Sequence, residues 1–193
     1  MAALDLCNVR TVFLDRDGTI NVKPAAGEYV TSPAELVLLP GAAKAVAALN
    51  AAGLRTVLVT NQRWLSQQRD PARFAAIQKR LEQLLADEGA RLDAAYHCPH
   101  AADSCECRKP AAGMLLQAAR EHGLNLAESV MIGDSDADVT AGRSAGAATI
   151  LLRAGGEESS GAGAGAGVVV EDLPAAVRLI LTALQWAHPS SSD

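Results

Sequence analysis

Aromatic side chains are scarce in this chain: two Phe, two Trp and two Tyr make up 3% of 193 residues. The apolar share of 49% therefore rests on Ala, Val, Leu and Ile, a composition suited to Ala-rich helices packed on an aliphatic sheet. Long apolar runs are missing too. None approaches the roughly 18 residues of a membrane-spanning helix, and residues 1–6 lack the basic start and apolar stretch of a secretory signal. Positive charge is not in excess. The 17 Lys and Arg face 22 Asp and Glu, a formal net charge of −5, which argues against a general nucleic-acid or anionic-membrane partner. Cysteine is limited to four residues, and the expectation is a cytoplasmic protein with reduced thiols. The length suits one domain over 1–188, a monomer, with a disordered tail at 189–193.

What is present alternates between short aliphatic strands and helices. Strands are expected at 9–14, 55–59, 93–96, 129–132, 149–152 and 168–170. Helices are expected at 41–52, 71–89, 110–122, 137–145 and 173–186, several of them stopped by Gly, and Asp70-Pro71 has the form of a helix start. Repeated β-α units of this length predict an α/β, Rossmann-like three-layer fold with a central parallel sheet. The Gly/Ala/Ser stretch at 155–167 reads as a surface loop, since too little chain follows it for another domain.

Chemistry collects at the strand ends. Val12-Phe13-Leu14-Asp15-Arg16-Asp17-Gly18-Thr19 delivers two carboxylates, two residues apart, from an apolar strand into a turn. Parallel sheets bind ligands at that end of their strands. One carboxylate can attack or hold a metal while the other moves protons. Downstream come Thr60-Asn61, Lys109 just before a helix, and Gly133-Asp134-Ser135-Asp136-Ala137-Asp138. Singly, these would be a turn, an exposed lysine and a helix cap. Together, in this order, they make one site, with carboxylates converging on a hard cation such as Mg²⁺.

These motifs, Asp15-x-Asp17-Gly18-Thr19, Thr60-Asn61, Lys109 and Gly133-Asp134 with Asp138, resemble the four motifs of the haloacid dehalogenase superfamily of phosphohydrolases over nearly the whole chain. The resemblance implies that Asp15 is a nucleophile forming an aspartyl-phosphate and Asp17 the acid/base. It implies that Thr60 and Lys109 hold the transferring phosphoryl group, that Asn61 lines the substrate site, and that Mg²⁺ binds the Asp15 side chain, the Asp17 carbonyl and Asp134. Asp138 is then a partner behind the metal ligands, with Asp136 as its alternative.

Cys98-Pro99-His100 and Cys105-Glu106-Cys107 place three thiols and an imidazole within ten residues. Such donors suit a closed tetrahedral Zn²⁺ site; free thiols or a disulfide are the alternatives. His97 is a rival to His100 with awkward geometry beside Cys98, and Cys7 reads as an ordinary buried thiol. The loop, running into Arg108-Lys109-Pro110, resembles that of bacterial heptose bisphosphate phosphatases and histidinol-phosphate phosphatases. Gly27-Glu28-Tyr29-Val30 favours the heptose branch, and a small phosphorylated sugar is the expected substrate. Departures from the branch are Arg63-Trp64-Leu65 after Thr60-Asn61-Gln62, Ala112 after Arg-Lys-Pro, and a slightly short cysteine loop. Arg108, with Arg63 as rival, is the candidate for the far end of the substrate. The intervals between motifs leave no room for a cap domain. Two other classes stay open: an interaction module on an inactive phosphatase fold, and phosphoryl transfer to an acceptor other than water.

Overall fold

The computed structural model describes residues 6–25, 27–68, 70–101, 104–153 and 165–187. Six strands, β1 (Thr11–Leu14), β2 (Arg55–Asn61), β3 (Ala94–Cys98), β4 (Ser129–Gly133), β5 (Ala148–Leu152) and β6 (Val168–Val170), form one sheet. Its order is β3-β2-β1-β4-β5-β6, with every pairing parallel. The central β1 and β4 are buried at every position. That explains their uninterrupted apolar sequences, because strands covered on both faces have no solvent side to mark with polar residues.

The covering helices are α1 (Ala42–Ala51), α2 (Trp64–Gln68), α3 (Pro71–Ala86), α4 (Gly113–His122), α5 (Asp136–Ala145) and α6 (Leu173–Ala187). Strand alternation sorts the sheet's side chains into two cores. Val12, Leu14, Leu58, Val130 and Ile132 pack with Val46, Leu49, Ile77, Leu81 and Ile180 of α1, α3 and α6. Phe13, Val57, Val59 and Met131 pack on the other face with Met114, Leu115, Ala118 and Ala141 of α4 and α5. Three layers result. The strand order reverses between β1 and β4, and at such a switch the loops leaving two adjacent strands diverge and open a crevice. Asp15 and Asp134 leave β1 and β4 at that point.

Several element ends differ from expectation, β1 starting at Thr11, β2 running to Asn61 and α3 ending at Ala86, and two further departures bear on the site. Residues 63–69, expected as a loop, contain α2, begun by Leu65 N donating to Gln62 O at 3.1 Å and Ser66 N to Arg63 O at 3.0 Å. Helix α4 starts three residues later than expected, because 108–113 first turn back on themselves: Ala111 N donates to Arg108 O (2.8 Å) and Gly113 N to Glu106 O (3.0 Å). Residues 18–40 form a flap in which Val22 N donates to Val37 O (2.8 Å) and Leu39 N to Ile20 O (2.9 Å). Among the described residues, the connections on either side of β2 hold only the flap, α1, a short 3₁₀ turn, α2 and α3, with no cap. No helix among the described residues is long and apolar enough to cross a membrane. Most of the expected 155–167 loop and the whole expected tail lie outside the described residues.

The expected start of α3 is formed by Asp70, whose side chain accepts from Arg73 N at 2.9 Å, with Pro71 in the first turn. Asp70→Ala should lower unfolding free energy by about 0.5–2 kcal/mol, the usual cost of losing an N-cap, as read by urea denaturation.

Candidate active site

A cavity of about 260 Å³ opens at the carboxyl ends of β1, β2 and β4, and Asp15, Asp17, Thr60, Asn61, Arg108, Lys109, Asp134 and Asp138 all line it. The flap supplies Lys23, Glu28 and Tyr29 to its rim. At its floor, the Lys109 ammonium is 4% exposed and donates to Asp15 Oδ1 (2.6 Å) and Val59 O (2.8 Å). Asp138 Oδ1 also lies 2.6 Å from it. An ammonium has three donors; Asp15 and Val59 take two of them, and Asp138 lies beside the charge as an ion pair. Burial by itself would lower the Lys109 pKa, but the charges of Asp15 and Asp138 outweigh it and hold the group above the ordinary lysine value. Burial pushes Asp15 in the opposite sense, to about 7, against the pull of Lys109 and aided by Asp138 and Asp17. A divalent cation beside Asp15 would favour its ionised form.

Asp17 is held differently. Its carboxylate accepts from Arg16 (Nε 3.1 Å, Nη2 3.0 Å), Asn21 Nδ2 (2.9 Å) and Gln62 Nε2 (2.9 Å). Arg16 is fully buried. Neither Arg16 nor Gln62 was singled out as a site residue from the sequence, where Arg16 is only the spacer between two acids. Asn61 lines the cavity, yet its amide is committed elsewhere: Nδ2 donates to Lys109 O (2.9 Å) and Oδ1 accepts from Lys109 N (3.1 Å). It clamps the lysine's backbone to β2.

Asp15, Asp134 and Asp138 each present an oxygen within 4.8 Å of the others, a hard donor set that fits Mg²⁺. Two glycines permit this crowding. A Cβ on Gly18, at φ +90°, would collide with the Asp134 carboxylate, and one on Gly133 with Asp138. Burial raises the Asp134 pKa, opposed by Lys23, whose ammonium reaches from the flap to Asp134 Oδ2 at 2.5 Å. Asp136 lies apart, with its side chain 61% exposed and Arg153 at 3.8 Å, so Asp138 and not Asp136 joins the cluster. Asp138 accepts from Ser135 N (3.1 Å) in the capping box of α5.

The second cluster sits on the loop leading into Lys109. Cys98 Sγ, His100 Nδ1, Cys105 Sγ and Cys107 Sγ lie within 4.8 Å of one another, with sulfur separations of 3.2–3.5 Å. Those separations are far beyond a disulfide bond, so Cys98, Cys105 and Cys107 are not joined by one. The donors and their closure fit a tetrahedral Zn²⁺. His97 is turned away, stacked on Phe74 with centroids 4.3 Å apart. Arg108 lines the cavity and donates to His100 O at 3.4 Å. Arg63 instead donates from Nε to Tyr29 Oη at 3.1 Å, bracing a residue of the rim.

Asn61→Ala should cost about 1–3 kcal/mol, because it leaves buried main-chain groups of Lys109 without partners. Urea denaturation against the parent chain measures this. A value within error of zero would mean the clamp does not bear on Lys109.

Residues 8–146 match the family described as haloacid dehalogenase-like hydrolase. The D-glycero-beta-D-manno-heptose-1,7-bisphosphate 7-phosphatase of Photorhabdus laumondii is 36% identical over 183 residues, covering 88% of this chain and 96% of that protein. The enzyme of the same name from Bordetella bronchiseptica is 39% identical over 149 residues, 76% and 82% of the two chains. The crystal structure of the B. bronchiseptica D,D-heptose 1,7-bisphosphate phosphatase, complexed with magnesium and phosphate, superposes with a TM-score of 0.82 at 37% identity, covering 90% of this chain and 99% of that one.

Proposed function

Because the chain belongs to the haloacid dehalogenase-like hydrolases, we propose that its cavity is the active site of a Mg²⁺-dependent phosphomonoesterase removing the C7 phosphate of D-glycero-D-manno-heptose 1,7-bisphosphate. The observation that carries this reading is the buried Lys109–Asp15 pair facing Asp17 and Thr60 in one cavity. The substrate is supported by relatives of that activity that match along almost their full length.

In the first step an Asp15 carboxylate oxygen attacks phosphorus, and the bond to the C7 oxygen breaks. The Asp17 carboxyl gives its proton to that departing oxygen. In the second step Asp17, now a carboxylate, takes a proton from water. The water oxygen attacks phosphorus, the bond to Asp15 breaks, and inorganic phosphate leaves with both side chains restored. The Lys109 ammonium and the Thr60 hydroxyl meet the equatorial oxygens, where charge must be neutralised in the transition state. Asp15, Asp134 and the Asp17 carbonyl would hold Mg²⁺, with Asp138 beside them, and the bound ion would supply positive charge to the phosphoryl oxygens. The Asp17 orientation matters in both steps, and Arg16, Asn21 and Gln62 fix it.

A panel of both heptose bisphosphate anomers, histidinol phosphate and hexose bisphosphates tests the assignment. The heptose bisphosphates should be turned over with the highest kcat/KM, and preferential turnover of histidinol phosphate would overturn it. Asp15→Asn should abolish turnover, since an amide cannot attack phosphorus. Asp17→Asn should cost roughly 10²–10⁴-fold, the scale of acid–base help.

The Cys98, His100, Cys105 and Cys107 cluster would hold a structural Zn²⁺ that fixes the backbone before Arg108 and Lys109. One zinc per chain is the expected result of elemental analysis. Cys105→Ser or Cys107→Ser should lose it and lower activity while the Mg²⁺ requirement persists, because hard and soft donor sets select different ions. Protein purified without chelators and free of zinc would refute this.

Arg108 would contact the substrate's second phosphate. Arg108→Ala should lower kcat/KM for the bisphosphate by roughly 10- to 150-fold, equivalent to a charge-assisted hydrogen bond of about 1.5–3 kcal/mol, and lower it less for a monophosphate. Equal losses on both substrates would move selectivity elsewhere.

A further inference from the structure

Trp64 is not among the residues that line the cavity. It is nonetheless buried, 1% exposed, at the first position of α2. Its indole Nε1 donates to Gln62 Oε1 at 2.8 Å. Gln62, fully buried, donates from Nε2 to two acceptors, Asp17 Oδ2 (2.9 Å) and Thr60 Oγ1 (2.8 Å). An indole N–H can only donate and an ionised carboxylate can only accept. Turning the amide over would therefore set its oxygen against the Asp17 carboxylate and its NH₂ against the indole N–H. Trp64 and Asp17 thus fix the amide from opposite sides.

The consequence reaches both groups that Gln62 touches. One amide hydrogen orients the Asp17 carboxylate. The other occupies a lone pair of Thr60 Oγ1, which leaves the threonine's own O–H to point elsewhere, and Thr60 lines the cavity. We infer that Trp64 is a positioning residue that acts through Gln62 to aim the acid–base carboxylate of Asp17 and the donor hydroxyl of Thr60. The inference rests on the phosphatase reading above and adds to it a residue two hydrogen bonds from the reacting atoms.

Trp64→Phe tests it, since the ring stays packed against Phe74 (centroids 6.5 Å apart in the parent) while the N–H is lost. A general acid matters for an alkoxide leaving group and hardly at all for 4-nitrophenolate, which departs unprotonated. A merely structural defect lowers both substrates alike. The expected result is a fall in kcat/KM of about tenfold on the sugar phosphate against less than about threefold on 4-nitrophenyl phosphate, a fraction of what losing the acid outright costs. Gln62→Leu should give the same imbalance, and adding Trp64→Phe to it should change little, because one residue works through the other. Should Gln62→Leu fail to fold, the Trp64→Phe ratio decides alone. Equal losses on the two esters, no loss on either, or additive effects in the double variant would overturn the positioning role while leaving the phosphatase reading intact. Absence of turnover on both esters by the parent protein would overturn both.

Discussion

Lys109 places a full positive charge at the floor of the cavity, where a buried ammonium is costly unless its donors are met. Much of the site can be understood as meeting them. β1 brings Asp15, α5 brings Asp138, and β2 contributes a main-chain carbonyl at Val59. The lysine's own backbone is fastened to β2 through Asn61. Asp15, the Val59–Asn61 end of β2 and Asp138 are far from Lys109 and from one another in sequence, so the pairing exists only once the sheet has formed. Removing any one leaves a buried charge short of a partner, which penalises alternatives more than it rewards the native arrangement.

The sheet order supplies the rest. Because β1 and β4 are neighbours at the reversal, the acids that follow them emerge side by side. The glycines at 18 and 133 then set how closely the carboxylates approach, since a methyl group at either position would occupy the space taken by Asp134 or Asp138. The acids that line the cavity, Asp15, Asp17, Glu28, Asp134 and Asp138, outnumber by one the cations Lys23, Arg108, Lys109 and the buried Arg16 paired with Asp17. A phosphate dianion entering such a site meets net repulsion unless a further cation is supplied, which is the electrostatic argument for Mg²⁺ beside the geometric one.

The strand ends and their acids were legible in the sequence because they combine two strong local signals: a buried apolar run, and charge at the position where such a run must leave the core. The Cys98–Cys107 loop was legible because soft ligands at short spacing have few other uses. The supports were not. Arg16 folds its side chain back on its own neighbour Asp17, Gln62 reaches Asp17 from the end of β2, and no periodicity marks either meeting. The motif points Asn61 at the substrate site, whose cavity it does line, but nothing in the sequence marks that its amide also holds a backbone 48 residues away. Helix α2 was hidden because five residues carry too little pattern to separate a single helical turn from a loop.

Chemistry and selectivity therefore sit on parts of different stiffness. The reacting groups stand at the ends of buried strands, where displacement would disturb the cores beneath them. The residues that can reach the rest of a substrate, Lys23, Tyr29 and Arg108, stand on the flap and the cysteine loop, tied down by a few polar contacts. With no cap among the described residues, these loops would be the means of discrimination under the proposed function. The Arg63–Tyr29 bond links the flap to the turn before α2, and the adjacent Trp64–Gln62 bond links that same turn to Asp17 and Thr60. One short segment thus braces the rim with one residue and the Asp17 carboxylate with the next, so under the proposed mechanism a substitution there alters selectivity and turnover together without touching a reacting atom.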